Sequence, residues 1–431
     1  MRAVSITALA AAIAGSGSAR AAAVLQSHPS PPSEQTWRDL ASPSALTPAE
    51  ESRTAGATLA RRYNPAMAFV HKDIWPVPLR YAWADGAGLM ARVMDNQNRA
   101  VREYEALPHH RLAADDWGDL PNTDNEGRSI QYFVDAPGDD RIEQGVSNWR
   151  RRWRAIMTGD PLANAAPSAL DYAPTQHAHV SWFNRDKGLL ALEYWFYYPY
   201  NEWINHHEGD WEHITVILRG PSRLTSDVGW RPVGYLFFFH EFVDEPKQVV
   251  RVGGADPRED HVLVYVGGKS RFLRWQVIQS GASYPLPSLY PAVGGGITGL
   301  RADEDVNDPA RFIRPEEFAI VMLPEPDRLD VGLHPELTWL RLDFFAGQAV
   351  MFQNPLALNG MGFGSPPRQP ARQAQWNHNW FPLVWAAPPP NGRHAMVNMP
   401  EGWKPLSDAP FTDEPQVSAR RSQRMRAASK R

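Results

Sequence analysis

The stretch "LALEYWFYYPYNEWINHHEGDWEHITVIL", residues 190–218, decides the fold. It holds two runs rich in β-branched and aromatic residues, 190–200 and 213–218, with a polar segment between them. Such runs, bounded by Gly, Pro, Asn or Asp, are typical of β-strands. Residues 194–200 are apolar at both odd and even positions, which is typical of a strand covered on both faces. The stretch therefore predicts central strands of a buried sheet.

Similar runs occur through the second half of the chain and predict further strands. They are "HVSWF" (179–183), "VGYLFFFHE" (233–241), "HVLVYV" (261–266), "FAIVML" (318–323), "LTWLRLDFF" (337–345) and "FPLVWA" (381–386). Turn-forming residues separate most of them, and no helical period intervenes. Together they predict a mainly β protein, an antiparallel β-sandwich of jelly-roll type, with an N-terminal extension that is mostly helical or irregular.

The N-terminus has the features of a secretory signal peptide. Arg2 supplies a positive charge, residues 3–15 are apolar, and small residues suited to cleavage follow. No later run is apolar for the roughly 18 residues that a membrane-spanning helix needs. The sequence therefore predicts a secreted or periplasmic protein without a transmembrane segment.

The chain divides by composition into five segments. A helix is expected from Thr47, which has capping-box spacing to Glu50, to about Tyr63, and another over 144–157. The basic end of the chain, after Glu414, is expected to be disordered. The predicted segments are 1–23 signal peptide, 24–46 disordered leader, 47–170 helical or irregular extension, 171–395 β-sandwich, and 396–431 C-terminal segment with a disordered basic tail.

Overall charge and cysteine content exclude some kinds of chemistry. A formal net charge of −4 argues against a general nucleic-acid binder. The absence of Cys excludes disulfides and thiolate catalysis. No HExxH or GxSxG motif is present, so the sequence offers no signature of a zinc protease or a serine hydrolase.

Titratable groups concentrate in "NHHEGDWEHITV", residues 205–216. In an extended strand Asp210 and Glu212 share one face, and Trp211 lies on the other. Gly209 permits a bend that returns His207 toward the carboxylates. This set suits a divalent cation: oxygen ligands favour Ca²⁺, Mg²⁺ or Mn²⁺, and the imidazole favours Mg²⁺, Mn²⁺ or Zn²⁺. An acid–base pair, or a strand end that merely carries surface charges, remains open from spacing alone.

The residues "YYPYNEWINHHEGDWEHITV", 197–216, resemble the signature of the vacuolar protein sorting-associated protein 62-like family. More distantly they are similar to the hallmark of the necrosis- and ethylene-inducing-like proteins. Looser similarities are "FFFHE" (237–241), the segment 261–285 and "GFGSPPRQP" (362–370). The resemblance covers about 176–390, roughly half of the chain.

The resemblance implies a β-sandwich with a divalent cation beside the strand that carries the motif. By position it makes His207, Asp210 and Glu212 metal ligands. The toxin-like group has an Asp where this chain has Asn201, so that ligand would be an uncharged amide oxygen. Gly209 replaces the second His of the toxin hallmark, which favours the first family over the second.

Two functions from different classes follow. The first is a secreted binding module whose cation, held by Asn201, His207, Asp210 and Glu212, bridges to a glycan, a glycolipid headgroup or another phosphate-bearing ligand. Further ligand contacts are expected from Trp203, His240, Ser283 and Tyr284, and an anionic membrane surface is a further candidate partner. The alternative is a hydrolase in which the metal, or His207, Asp210, Glu212 and His240, activate water against an ester, phosphoester or glycosidic bond. The sequence leaves open the ligand, the metal, whether the protein is an enzyme, and its oligomeric state.

Overall fold

The structure is a computed structural model. It describes residues 40–45, 52–70, 75–83, 87–135, 173–201, 207–239, 242–244, 246, 249–254, 258–267, 281–287, 289–291, 303–347, 366–373, 376, 383–384 and 405–406. The expected signal peptide, most of the leader, the helix over 144–157 and the basic tail lie outside these ranges.

Strands dominate the described residues. In chain order the helices are α1 (Arg53–Arg62) and α2 (His109–Leu112). The strands are β1 (Ala66–Phe69), β2 (Gly88–Met94), β3 (Ala100–Pro108), β4 (Ile130–Asp135), β5 (Thr175–Asn184), β6 (Leu189–Asn201), β7 (His207–Arg219), β8 (Arg231–Phe239), β9 (Phe242–Asp244), β10 (Arg251–Gly253), β11 (Asp260–Val266), β12 (Ser283–Tyr284), β13 (Leu289–Pro291), β14 (Asp303–Asp305), β15 (Arg311–Ile313), β16 (Ala319–Leu323), β17 (Phe344–Phe345), β18 (Leu383–Val384) and β19 (Pro405–Leu406). Short 3-10 helices cover Leu79–Trp83, Trp117–Asp119, Pro315–Glu317, Pro326–Arg328, Pro335–Arg341 and Pro370–Arg372.

The central sheet has seven strands in the order β16-β5-β6-β7-β8-β9-β18. Its middle is antiparallel, from β5 through β9, and both outer strands, β16 and β18, pair in parallel. As predicted for a strand covered on both faces, Tyr194 to Tyr198 are fully buried at both parities. We call the side that carries Tyr194, Phe196 and Tyr198 face A, and the opposite side face B.

A second sheet and α1 cover face A. The second sheet has the order β15-β1-β11-β10-β19, with β12 paired to β11. Apolar side chains of β1 and β11, among them Met67 and Val264, join Tyr194 and Leu59 of α1 in one core cluster. This packing of one sheet on another gives the sandwich architecture that the sequence predicts.

A third sheet, in the order β17-β4-β2-β3, packs near the start of β7. Its contact with face B runs through aromatic rings: Trp211 stacks on Trp339, and Trp339 meets Phe344 edge-on. A two-stranded sheet of β13 and β14 completes the described strands. The extension expected to be helical or irregular, 47–170, thus contributes strands to two sheets as well as α1.

Most predicted strands are present, but two predictions need correction. Residues 337–345 form mainly a 3-10 helix, Pro335–Arg341, and only Phe344 and Phe345 are extended. Pro335 starts that helix, and Leu337 to Leu340 are all buried, so the apolar run reflects burial on all sides and not a strand. The first helix begins at Arg53 with Ser52 as its N-cap, in place of the cap expected at Thr47.

Among the described residues, no helix has the length and apolar character needed to cross a bilayer.

Candidate functional site

The candidate site lies where β6 ends and β7 begins. The antiparallel register places Asn201 opposite His207 and Tyr198 opposite Asp210. The side chains of Asn201, His207 and Asp210 are each at most 1% exposed. Neutral or charged polar groups this deeply buried need partners, because their loss of hydration is costly. The hydrogen-bond partners of these three side chains therefore characterise the site.

Gly209 shapes the start of β7. Its φ is +54°, a left-handed conformation that glycine adopts without steric cost. A Cβ at this position would lie 1.9 Å from the carbonyl oxygen of Ala346, and a Cβ on Gly347 would lie 2.2 Å from that of Glu208. The two glycines thus allow the backbone of 346–347 to lie directly on 208–209. The bend expected at Gly209 is confirmed. The close approach of the two backbone segments is a second reason why this position requires glycine.

The hydrogen bonds of His207 fix its tautomer. Nδ1 lies 3.0 Å from the carbonyl oxygens of both Glu208 and Gly209, so Nδ1 carries the proton and donates it. Nε2 therefore presents its lone pair, and it lies 3.1 Å from the side-chain nitrogen of Asn201. A neutral imidazole whose other N–H is held by a backbone carbonyl is the arrangement of a metal-ligating histidine.

Asp210 is a buried carboxyl group whose negative charge has little compensation. Neither of its carboxylate oxygens has a hydrogen bond of full geometry within the described part of the chain. Burial raises the pKa of Asp210 well above its usual range, and the nearby Trp211 N–H and Asn201 amide only partly oppose this. A carboxyl group in these surroundings is stable when it is protonated or when a cation neutralises it.

Glu212 and Tyr198 extend the polar region along face A. Glu212 and Tyr198 lie on the same face of the sheet, as the alternation of side chains along β7 predicts. Both approach Gly281: a Cβ at that position would lie 3.3 Å from Glu212 Cγ and 2.9 Å from a ring carbon of Tyr198. The buried Tyr198 hydroxyl has no hydrogen-bond partner among described residues. Burial raises its pKa well above the usual range, and the charges of Glu212 and Asp210 add to that shift. Sequence reasoning missed Tyr198, because an aromatic strand gives no signal for one tyrosine among several.

Ser283 also lies close to this region. It is 3% exposed and is paired with Val266, which belongs to the core between the two sheets. Its hydroxyl lacks a hydrogen-bond partner within the described ranges. Tyr284 has the opposite orientation and stacks on Tyr290, with ring centroids 4.1 Å apart. Of the two expected ligand contacts on β12, the structure thus places Ser283 on the side that faces the site.

The other two expected ligand contacts, Trp203 and His240, lie in segments that the structure does not describe. Trp211 lies on the strand face opposite the carboxylates, as predicted, and contacts His177, Tyr197 and Trp339 in the core on face B.

A metal ion in a protein site is held by several donor groups that converge on one point. Within the described residues no three His, Asp or Glu side chains converge on one metal position. The nearest arrangement is the pair His207 and Asp210 joined by the Asn201 amide, which donates toward both acceptors. Because O and N of an Asn side chain exchange by a half-turn of the amide, Asn201 can present its oxygen to a cation at the same place. We call Asn201, His207 and Asp210 the cradle.

A second buried polar cluster lies on face B and was not foreseen from the sequence. His179 lies between two carboxylates: Nδ1 is 3.3 Å from Glu193 and Nε2 is 3.1 Å from Glu325. Trp376 stacks on His179 at 3.8 Å and donates its Nε1–H to Glu325. Burial lowers the pKa of His179, but the two glutamates outweigh it and raise the pKa to about 9. His179 is therefore a buried imidazolium at neutral pH.

Comparisons with known proteins return two structures. The crystal structure of the non-toxic HaNLP3 protein is 10% identical, covers 65% of this chain and 78% of its own, and has a TM-score of 0.24. Necrosis and ethylene inducing protein 2, from the causal agent of cocoa's witches' broom disease, is 13% identical, covers 65% of this chain and 76% of its own, and has a TM-score of 0.23. No family model and no curated protein matches the chain, so the resemblance to the vacuolar protein sorting-associated protein 62-like family gains no support.

Proposed function

We propose that the protein is a secreted binding module that holds a divalent cation in the cradle and, through it, a hydroxyl-rich or phosphate-bearing ligand such as a glycan or glycolipid headgroup. The observation that carries the proposal is the buried Asp210 carboxyl, which has no hydrogen bond of full geometry to any described residue and is linked through the Asn201 amide to an imidazole whose Nε2 is an acceptor. A cation placed between them satisfies both groups at once. Glu212, one row along the same face, is the next oxygen donor.

The cation would be Ca²⁺, Mg²⁺ or Mn²⁺. The cradle offers one nitrogen and otherwise carboxylate and amide oxygens, which suits these harder ions better than a thiolate-seeking metal. Asn201 has no charge, so it contributes less attraction than a carboxylate at the same position. We therefore expect weaker binding than at a site with a third acid, and saturation only at the higher metal concentrations typical of extracellular fluid.

Metal binding by the chelator-treated full-length protein is the first test. We expect one Mn²⁺ per chain by electron paramagnetic resonance titration, and at least tenfold weaker binding in Asp210→Asn and His207→Gln. His261→Gln is the matched control, because His261 is also buried and its Nδ1 is also bonded to a backbone carbonyl, that of Asn64 at 2.7 Å. Unchanged Mn²⁺ affinity in Asp210→Asn, with the fold verified by circular dichroism, would falsify the cradle.

Proton competition gives a second test of the same site. Ligation requires a neutral His207 and an ionised Asp210, so binding releases protons. We expect the apparent Mn²⁺ affinity to fall steadily as the pH is lowered from 8 to 5. An affinity that stays constant over that range would remove His207 from the ligand set.

Ligand retention tests the second half of the proposal. The wild-type protein should be retained on an immobilised glycan or glycolipid array in the presence of Mn²⁺ or Ca²⁺ and released by EDTA. Asp210→Asn should not be retained, whereas His261→Gln should behave like wild type. Retention that survives both EDTA and Asp210→Asn would show that any ligand binds elsewhere.

Hydrolysis is the alternative that the sequence leaves open. The Nε2 lone pair of His207 could accept a proton as well as bind a cation, so the geometry of His207 does not separate the two functions. We rank binding above hydrolysis because the sequence offers no recognised nucleophile. Product that accumulates beyond one equivalent per chain on ester, phosphoester or glycoside substrates, and that disappears in Asp210→Asn, would reverse the ranking.

A further inference from the structure

Three buried polar side chains beside face A have no hydrogen bond of full geometry to any described residue. They are Asp210, Tyr198 and Ser283, with 0%, 0% and 3% of their surface exposed. Most buried polar atoms in native proteins do have a partner, because an unpaired polar group away from water lowers stability. Three exceptions in one region therefore indicate a place where the protein receives a polar guest.

The strand register brings Asp210 and Tyr198 together. They are direct partners across β6 and β7, and both side chains point to face A. Residues opposed in this way on an antiparallel pair have Cβ atoms about 5 Å apart. The Asp210 carboxyl and the Tyr198 phenol thus belong to one site without being hydrogen-bonded to each other, so a third group can bind both.

Residues 281–284 close this site from the second sheet. Gly281 lies on Tyr198, and β12 lies against β7 as well as β11. The two residues of β12 point to opposite sides. Tyr284 stacks on Tyr290 in a core cluster separate from the one between the sheets, so Ser283 points inward, toward face A.

The cradle alone supplies few donors for a hard cation. It offers an imidazole, a carboxylate and an amide, whereas Ca²⁺ takes roughly six to eight oxygen ligands and Mg²⁺ about six. The hydroxyls of Tyr and Ser carry lone pairs as well as a proton, so each can present its oxygen to a cation. An anion is disfavoured as the guest, because the carboxyl groups of Asp210 and Glu212 lie at the same place.

We propose that Tyr198 and Ser283 complete the cation site of the cradle, as neutral oxygen donors from β6 and from the second sheet. The bound ion thus joins the central sheet to the second sheet, and it stabilises the sandwich in addition to holding a ligand. This inference rests on the cation binding proposed above. It adds two hydroxyl groups that a search for acidic and imidazole ligands does not find.

Tyr198→Phe removes the hydroxyl and keeps the ring that packs on Gly281. In the full-length, chelator-treated protein we expect about tenfold weaker Mn²⁺ binding by electron paramagnetic resonance titration, the effect typical of a lost polar contact to a charged group. Without metal, the variant should unfold in urea at the same concentration as wild type or a slightly higher one, because the hydroxyl it loses has no partner among described residues. A residue that only packs would not combine these two results.

Tyr194→Phe is the matched control. Tyr194 lies on the same strand and the same face, is fully buried, and donates its hydroxyl to the Ala60 carbonyl at 2.8 Å. The variant should therefore unfold at a lower urea concentration in the absence of metal, and its Mn²⁺ affinity should equal that of wild type.

Ser283→Ala tests the donor from the second sheet. We expect Mn²⁺ affinity to fall by about tenfold here as well. In the wild type, Mn²⁺ should slow hydrogen exchange of the backbone amides of 281–284, measured by mass spectrometry, because the ion holds this segment against β7. In Ser283→Ala that protection should be lost.

The results separate this inference from the cradle itself. Wild-type Mn²⁺ affinity in either Tyr198→Phe or Ser283→Ala, with binding lost in Asp210→Asn, would overturn the inference and leave the cradle standing. A wild type that binds no Mn²⁺ would overturn both. An equal loss of affinity in Tyr194→Phe would also overturn the inference, because it would reflect a general loosening of the core. Weaker binding confined to Tyr198→Phe and Ser283→Ala would establish it.

Discussion

His177 and His179 lie two residues apart on β5 and point to the same face, yet their environments shift their pKa values in opposite directions. Burial lowers the pKa of His177 to about 3, only partly offset by a backbone hydrogen bond at Trp195. At His179 burial acts in the same sense, but Glu193 and Glu325 reverse it and raise the pKa to about 9. Sequence spacing alone cannot show this, since Glu325 is far away in the chain and arrives only through the pairing of β16 with β5.

The two shifts give opposite pH dependences of stability. The pKa of His179 is higher in the folded protein than in the unfolded chain. The contribution of His179 to the free energy of unfolding is therefore complete below about pH 6.5 and is lost as the pH rises through about 9. The pKa of His177 is lower in the folded protein than in the unfolded chain. The contribution of His177 to the free energy of unfolding is therefore complete above about pH 6.5 and is lost as the pH falls toward 3.

His179→Gln tests the first of these shifts. We expect it to lower the free energy of unfolding by roughly 3 kcal/mol at pH 6, since raising the pKa of His179 from its ordinary value to about 9 corresponds to about that much. The deficit should shrink when the same urea titrations are made at pH 10. A deficit that is independent of pH would show that packing, and not the charge of the imidazolium, stabilises the cluster.

Gly209 permits a second prediction for a single residue. Gly209→Ala should destabilise the protein by about 3 kcal/mol or more, because it combines a left-handed φ with a Cβ 1.9 Å from the Ala346 carbonyl oxygen. Gly127→Ala is the matched control: its φ is also positive, at +76°, but no atom lies within 4 Å of its Cβ, so about 1 kcal/mol is expected. Chemical denaturation of both variants measures the difference. Equal losses would mean that the contact between 209 and 346 is not formed.

At the scale of elements, the sequence predicts strands well where burial follows a local pattern. The aromatic strand β6 and the parity of β7 are both correct, because alternation and two-sided burial are visible in consecutive residues. The 3-10 helix at 335–341 is missed, since an apolar run buried on all sides has no period that separates a strand from a short helix. The partners of the site, Tyr198 with Gly281 and Gly209 with Ala346, depend on contacts distant in sequence, and no local pattern encodes them.

Helix α1 offers a test of its corrected start. Ser52 Oγ accepts from the Ala55 N–H at 3.1 Å, so Ser52→Ala should lower the free energy of unfolding by about 1 kcal/mol.

Gly56 lies inside the helix, and a Cβ there would meet Leu224 and Val180 at ordinary contact distances of 3.7 and 3.8 Å. Gly56→Ala should therefore stabilise the protein by about 0.5–1 kcal/mol. Thermal unfolding of both variants measures this, and a destabilising Gly56→Ala would show that α1 packs more tightly against the loop 220–230 and β5 than described.

At the scale of the whole molecule, the central sheet carries two buried polar clusters on opposite faces. Asp210 of the cradle lies opposite Tyr198 on face A, and His179 lies between Glu193 and Glu325 on face B. No side chain belongs to both clusters, so a change in one should leave the other unaltered.

This separation predicts that the two clusters act independently. Asp210→Asn should abolish Mn²⁺ binding and leave the pH dependence of stability that His179 produces unchanged, whereas His179→Gln should do the reverse. In the combined variant the changes in the free energy of unfolding should add to within about 0.5 kcal/mol. Urea titrations of the single and combined variants at pH 6, with Mn²⁺ affinity measured on the same proteins, test this. A larger departure from additivity would show that the sheet couples its two faces.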